Sequence, residues 1–466
     1  MTLPNFAEQQ LPAASQFVAN NFGNLKETLI SLAKIPGIAW EAFDENELER
    51  SAQAVAKLFS ETQLFDFVDI RRASANGKPG APAVVAKRAA KNGKPQILLY
   101  AHHDVQPPGD ETVWQTNPFE PTEKDGRLYG RGAADDKAGI VTHLAAVKAL
   151  AQLCGPDFDL GLTLFIEGEE EAGSPSFRNF LEENQADLKA DVIIVADSGN
   201  WTVDVPALTT TLRGLVSQVI EVSTLDHALH SGMYGGAVPD AMLAMIKLLA
   251  TLHDERGNVA IAGLVHGKAD ELPYSDAQLN TDAGLLPGIQ QIGDGSILDR
   301  IWTKPALTVI GIDGQTVALS SNTMLPSVKA KISLRIAPGE QPEQALTLLK
   351  AHLESNLPFG ARISYGETEL GKPFAQTGEG WAKGMAELAL GAAWGTKSVN
   401  IGIGGSIPFI ADLTQVFPDA QILVTGVEDP DSRAHSPNES VDLAMLQRAM
   451  VAEAIFLVSG NAKAGQ

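Results

Sequence analysis

The 466-residue sequence carries 57 acidic against 35 basic side chains, a formal charge of −22, which excludes the basic surface a nucleic-acid partner requires. Gly and Pro are close to ordinary usage and 44% of residues are hydrophobic, so a disordered or fibrous chain is excluded and a globular protein of two domains is expected. The single cysteine, Cys154, excludes an intrachain disulfide and fits a reducing compartment.

In chain order, residues 1–20 lack the basic start and continuous apolar stretch of a secretory signal, which implies a cytoplasmic location. The short apolar run at 97–101 (ILLYA) reads as a strand buried on both faces. The stretch 137–153 reads as a helix, with Ile140, Leu144, Val147 and Ala151 on one face. Further buried strands are expected at 160–166 (LGLTLFI) and 192–196 (VIIVA).

From 213 to 372 the pattern changes to a strand at 215–222, a helix at 239–252, strands at 307–312 and 328–336, a helix at 342–353 and a strand at 362–365. That β-α-β-β-α-β order is the ferredoxin-like α+β arrangement, and Pro342 with Leu346, Leu349 and Leu353 marks the second helix. Residues 253–304, rich in Gly, Asp and Asn, fit neither pattern. The most apolar helical stretch, 241–252, contains Lys247 and falls short of the ~20 residues that span a bilayer, so no membrane is expected. A fourth buried strand follows at 422–427 (ILVTGV), and 460–466 read as a frayed tail. The alternation outside the insertion predicts an α/β catalytic domain, a mostly parallel sheet flanked by helices, built from 1–212 and 373–466 around an inserted domain at 213–372.

Each buried run is followed by side chains able to bind metal: His102, His103 and Asp104; Glu169, Glu170 and Glu171; Asp197; and Glu428, Asp429, Asp431 and His435. In open α/β sheets ligands bind beyond the carboxyl ends of the strands, so four strands point at one place. The segment GRGAADDK at 130–137 adds Asp135 and Asp136 at a helix start and lacks the Gly-Lys-Ser/Thr ending of a phosphate loop. Taken singly, these carboxylates read as helix caps. Gathered in one crevice, Asp135, Glu170, Glu171 and Asp197 repel one another unless cations neutralise them. Oxygen and imidazole donors without a cysteine cluster suit zinc, manganese or cobalt. Two divalent ions sharing a carboxylate would sit ~3.5–4 Å apart and would balance three ligating carboxylates and a hydroxide, leaving one further carboxylate as a base.

These segments resemble the M20 family of metallopeptidases, particularly its dipeptidase branch related to carnosinases. The resemblance rests on HHDVQP at 102–107, GRGAADDK at 130–137, EGEEEAGS at 167–174, Asp197, HSGMYGG at 230–236, GGSIP at 404–408 and AHS at 434–436. It implies two Zn2+ per subunit, with Mn2+ or Co2+ as alternatives: His102 and Asp197 on one, Glu171 and His435 on the other, and Asp135 bridging. It also implies a cis peptide between Asp135 and Asp136. Alternation along a strand puts His102 and Asp104 on one side and His103 on the other, so Asp104 suits holding the imidazole while His103 packs elsewhere. Glu170 is then the general base beside metal-activated water.

From the inserted domain the resemblance implies that His230 stabilises the oxyanion in the partner subunit's site and that Arg335 binds a substrate carboxylate. Thr323, Asn322 and Ser406 are implied substrate contacts, and the inserted domain would serve as lid and homodimer surface. The implied activity is hydrolysis of the amide bond of a dipeptide or similar short substrate with a free carboxylate. Many relatives have Arg-Glu immediately before the GGSIP segment, where this chain has Gly402 and Ile403. That departure keeps a second reading open, an N-acyl-amino-acid deacylase or carbamoyl hydrolase of the same family.

Overall fold

A computed structural model describes residues 3–463 apart from 76, 377–379 and 406. Along the chain the framework consists of helices α1 (Leu3–Ala33) and α2 (Glu45–Ser60), strands β1 (Phe67–Arg71), β2 (Ala83–Arg88) and β3 (Gln96–His102), and helix α3 (Lys137–Cys154). There follow strands β4 (Gly161–Glu167), β5 (Val192–Val195), β6 (Ala207–Leu212) and β7 (Gly214–Ser223), helix α4 (Ala241–Ala250), strands β8 (Ala306–Asp313) and β9 (Ser327–Ile336), and helix α5 (Pro342–Ser355). Strand β10 (Arg362–Gly371), helix α6 (Trp381–Trp394), strand β11 (Gln421–Val424) and helix α7 (Leu443–Ala462) complete it. The chain divides into two compact units, one of Met1–Thr210, Thr377–Ile401 and Asp412–Gln466, the other of Thr211–Gln376 and Gly402–Ala411.

The first unit is built on a sheet in the order β1-β2-β4-β3-β5-β11-β6. Its centre, β4-β3-β5-β11, is parallel, and the pairs toward either side, β1-β2, β2-β4 and β11-β6, are antiparallel. The parallel centre holds the four apolar runs, as expected of strands covered on both faces. Ile97, Leu99 and Ala101 join Leu144 and Val147 of α3, Leu25 and Leu29 of α1 and Leu446 and Met450 of α7 in one core. On the opposite face Tyr100 packs edge-on against Phe165 and Phe177. The apolar run of strand β2, AVVA at 83–86, is cut short by Lys87 and Arg88, and it is not among the strands expected from sequence. Arg88 is nonetheless buried, with its guanidinium 4.1 Å above the Phe158 ring and donating to the Phe158 carbonyl at 2.9 Å.

Helix α7 adds to the sequence reading in one respect and corrects it in another. At 20 residues and a mean hydropathy of 1.4 it is longer than 241–252 and meets the length and composition of a membrane span, yet 83% of that stretch is buried inside the protein. It packs against α1, α3 and α6, which accounts for its apolar surface. The expected tail at 460–466 instead begins inside this helix, where Gly460 is pressed against Leu160 and Ile97; residues 464–466 lie outside the described residues.

The second unit has an antiparallel sheet in the order β8-β9-β7-β10, which in chain terms is second, third, first, fourth. Both helices pack onto one apolar cluster that includes Val216, Ile220, Ile332, Leu334, Met245, Leu248, Leu349 and Leu353. This is the ferredoxin-like arrangement expected from the β-α-β-β-α-β order. Residues 253–304, which sequence periodicity leaves unassigned, contain only the short helix Asp276–Asp282 and a π-turn at Asp299–Thr303.

The packing predicts a contrast between two leucines. Leu144→Ala, at a position 1% exposed, should cost about 2–5 kcal/mol, whereas Leu286→Ala, 73% exposed in the irregular segment, should shift stability by no more than about 0.5 kcal/mol. Denaturant unfolding of both variants beside the parent chain checks this.

Candidate metal centre

Six of the residues singled out in the sequence come together in the first unit because the parallel strands all end on one side of the sheet. His102 is the last residue of β3, and β4 gives way to a short turn, Glu170–Ala172, that carries Glu170 and Glu171. Asp197 follows β5 directly. Asp135 precedes α3, joined to Asp136 by a cis peptide bond. His435 lies in the loop after β11 with φ +62°, in the left-handed region that a non-glycine residue enters at a cost of about 1–3 kcal/mol.

Asp135 is the hub. One of its oxygens, Oδ1, is 2.9 Å from His102 Nε2, and the other, Oδ2, is 3.0 Å from His435 Nε2. His435 Nε2 is also 3.1 Å from Glu171 Oε2, and His102 Nε2 is 4.0 Å from Asp197 Oδ1. Two sets of ligand atoms therefore converge, each within 4.8 Å: His102, Asp135 and Glu171, and His102, Glu170 and Asp197.

Surrounding groups hold these side chains in place. Asp104 Oδ1 is 3.3 Å from His102 Nδ1, and the same carboxylate accepts from the backbone N–H groups of Glu170 and Glu171 at 3.2 and 3.1 Å. The Asp136 carboxylate accepts from the His102 N–H at 3.2 Å. Gln106 donates to both oxygens of Glu171, from its side chain at 2.7 Å and from its backbone at 3.2 Å. Buried Glu439 accepts from the N–H groups of Ala134 and Asp135 at 3.0 and 3.2 Å while paired with Arg131 at 2.6 Å.

The charges conflict as they stand. Burial, then Asp197, pushes Glu170 well above the usual carboxylate range, and burial, then Asp135, raises Glu171. Burial lifts Asp197 to about 7. Asp135 goes the other way: burial opposes its ionisation, but its bonds to His102 and His435 outweigh that and hold it below its ordinary value. His435 is pushed up to about 11 by its bonds to Asp135 and Glu171, and His102 is raised despite its burial by Asp104 and Asp135. If His102 Nδ1 carries a proton toward Asp104, its Nε2 lone pair faces carboxylate oxygen. Such a contact needs a positive charge between the partners, either a proton or a metal ion. Imidazole and carboxylate donors in two sets that share His102, with Asp135 touching both imidazoles, fit a pair of divalent cations.

The remaining candidates of the first unit have partners of their own. His103 is buried with Nε2 2.7 Å from the Pro82 carbonyl, and burial lowers it to about 4. Glu169 accepts from the N–H groups of Ala81 and Ser176, and Asp429 is paired with Arg127 at 2.9 Å. Ser406 lies outside the described residues. In the second unit, exposed His230 sits opposite Thr323 in a two-strand pairing, and the Asn322 carbonyl accepts from the Ser231 N–H at 2.9 Å. Arg335 is half-buried on β9 between Leu215 and Ala306. Burial and the nearby charge of Arg335 push Arg213 down to about 10, and Arg213 donates to the Gly404 carbonyl at 2.8 Å.

Sequence reasoning assigns no role to Gln106, Arg213 or Glu439, and names Glu428 only among the side chains able to bind metal. Gln106 lay within a quoted motif. Glu428, raised by burial and by the charges of Asp135 and Asp197, was one of four polar residues after its strand. Nothing in the order of residues links Glu439 to a backbone more than 300 positions earlier.

Residues 98–457 match peptidase family M20/M25/M40. The chain is 35% identical over 384 residues to a cysteinylglycine-S-conjugate dipeptidase of Corynebacterium striatum, covering 81% of this chain and 84% of that one. It is 28% identical over 381 residues to a Cys-Gly metallodipeptidase of Schizosaccharomyces pombe, covering 78% and 80%. Among solved structures, the dipeptidase Dug1p of Saccharomyces cerevisiae superimposes with a TM-score of 0.75 at 22% identity, and human carnosine dipeptidase 1 with 0.74 at 22%, each covering 97% of this chain and 99% of the other. At that identity the likeness carries the fold.

Two outcomes are expected of the cation site. Loading the metal-free protein with divalent cations at pH 7 should release protons, and affinity should fall as pH drops, because the cations compete with protons held by His102, His435 and Asp197. Calorimetry in buffers of different ionisation enthalpy counts the protons. Asp104→Ala should weaken cation binding about 10–100-fold, measured by chelator competition.

Proposed function

The chain belongs to peptidase family M20/M25/M40, and on that premise we propose that it is a dinuclear zinc metallodipeptidase, with manganese or cobalt as alternative ions, that cleaves short peptides bearing a free carboxylate. The observation that carries this reading is Asp135, one oxygen on each of two imidazoles, in a cluster of carboxylates that cannot all ionise without cations. His102 and Asp197 would hold one ion, Glu171 and His435 the other, and Asp135 both. When bound, the ions would supply Lewis acidity, polarising the scissile carbonyl and acidifying water.

This chain's residues do the rest. Glu170 is the general base: its neighbours raise its affinity for a proton, so it takes one from the attacking water and returns it to the leaving amine. Asp104 fixes the backbone on which Glu170 and Glu171 ride and orients the His102 ring. From the second unit, Arg335 offers a planar fork to the substrate carboxylate. His230 stabilises the oxyanion in the partner subunit's site of a homodimer, and Thr323 and Asn322 contact the substrate. The C. striatum relative, named for a cysteinylglycine conjugate, supports a dipeptide as the substrate class.

A second reading, an N-acyl-amino-acid or carbamoyl hydrolase, is favoured by one observation. Ile403 stands where many relatives carry the acidic residue of Arg-Glu, so that position offers no carboxylate to receive a substrate ammonium group.

Glu170→Gln should lower kcat by a factor of about 10²–10⁴ while the protein still binds two cations; a variant of near-normal rate removes Glu170 as base. Arg335→Met should raise KM about 10–100-fold with kcat little changed, as expected for lost charge-assisted binding. Rates on a dipeptide and on the N-acetylated amino acid of the same C-terminal residue separate the two readings, and preference for the acetylated compound selects the second.

A further inference from the structure

Beneath the cation cluster, on the helix side of the sheet, lies a buried pair that the proposed reaction does not use. His143 of α3 is completely buried, with Nδ1 2.7 Å from Glu453 Oε1 of α7 and Nε2 3.0 Å from the main-chain oxygen of Tyr100. A carbonyl only accepts, so Nε2 must carry hydrogen and donate to it. The short contact between Nδ1 and the carboxylate then holds one further proton, as imidazolium and carboxylate or as imidazole and carboxylic acid. The pair is neutral either way, and the ring is fixed in one orientation.

Tyr100 lies on the central strand β3 two positions before His102, paired with Phe165 of β4 on one side and Val195 of β5 on the other. Its carbonyl also accepts from the Ala196 N–H at 3.0 Å, the hydrogen bond made just before Asp197. On the other face of the sheet its phenol donates to Glu167 Oε2 at 2.6 Å, the last residue of β4 before the turn carrying Glu170 and Glu171. The Tyr100 oxygen therefore has both lone pairs occupied, one by the strand bearing Asp197 and one by the helix layer.

Resting on the two-cation reading above, we propose that His143 and Glu453 are positioning residues for the cation site: by holding the Tyr100 carbonyl from below they set the spacing of His102 and Asp197. Ligand constellations tolerate only about 0.5 Å of looseness, and at this carbonyl His143 ties the ends of two parallel strands to the helix layer. The effect should fall on the His102–Asp197 side, because neither Glu171 nor His435 lies on the two strands joined at the Tyr100 carbonyl, and Glu171 is held by Gln106.

The test uses the full chain and titrates Co2+ into metal-free protein, reading its visible spectrum and calorimetric affinity. Because removing one partner strands a buried charge, the main variant is the double substitution His143→Leu with Glu453→Leu. One of the two bound equivalents should weaken about 10–100-fold while the other is unchanged. Glu453→Gln, whose amide donates to Nδ1 and leaves Nε2–H on Tyr100, should keep affinity near the parent value. If the double variant binds both equivalents as the parent does, or loses both equally, the proposal is overturned. If the parent itself fails to bind two cations, the dinuclear reading falls first and takes this inference with it.

Discussion

The structure is organised around one electrostatic conflict. Asp104, Asp135, Glu170, Glu171 and Asp197 are drawn together at the ends of parallel strands, and most are removed from water. Isolated burial of so many carboxylates is unfavourable, and the protein relieves only part of it. Two imidazoles are raised in basicity, Asp197 is held near neutrality, and Glu170 and Glu428 are pushed above their ordinary range. Uncompensated negative charge of this kind is what divalent cations neutralise, and the supporting bonds from Asp104, Gln106, Asp136 and Glu439 make sense as a frame that keeps donors in place against their mutual repulsion.

How far this was legible in the sequence depended on whether the signal was local. The four parallel strands announced themselves because burial on both faces demands unbroken apolar runs, and His102, Glu170, Glu171 and Asp197 stood out because they come soon after such runs, whereas the pairing of ligands, with Asp135 as the bridge, was implied by family likeness. Alternation placed His102 and Asp104 together and sent His103 to Pro82. Strand β2 gave a weaker signal, since its buried apolar run, Ala83 to Ala86, is short and its last buried residue is Arg88, lying over Phe158. Helix α7 was passed over because it is apolar on nearly every side and so lacks an amphipathic period.

The site residues that went unread share a feature: they act through the backbone of distant segments. Glu439 binds the N–H groups of Ala134 and Asp135, and Arg213 reaches the carbonyl of Gly404. A carboxylate or guanidinium engaged in this way has no preferred spacing from its target along the chain, so periodicity and motif length carry no trace of it. The residues of the second unit were legible only through family likeness, because an exposed histidine and a half-buried strand arginine are chemically ordinary in isolation.

Helix α7 has a bearing on biosynthesis. It is the final element of the first unit to leave the ribosome, and it supplies the middle of that unit's core together with Glu453. The nascent chain therefore carries α1, α3 and the sheet with an apolar gap until translation has passed residue 460, while the sheet and helices of the second unit emerge complete well before that. Folding of the cation-binding half waits on α7, which makes the interval before α7 docks the period in which the apolar surface it covers is most exposed to chaperones and to aggregation.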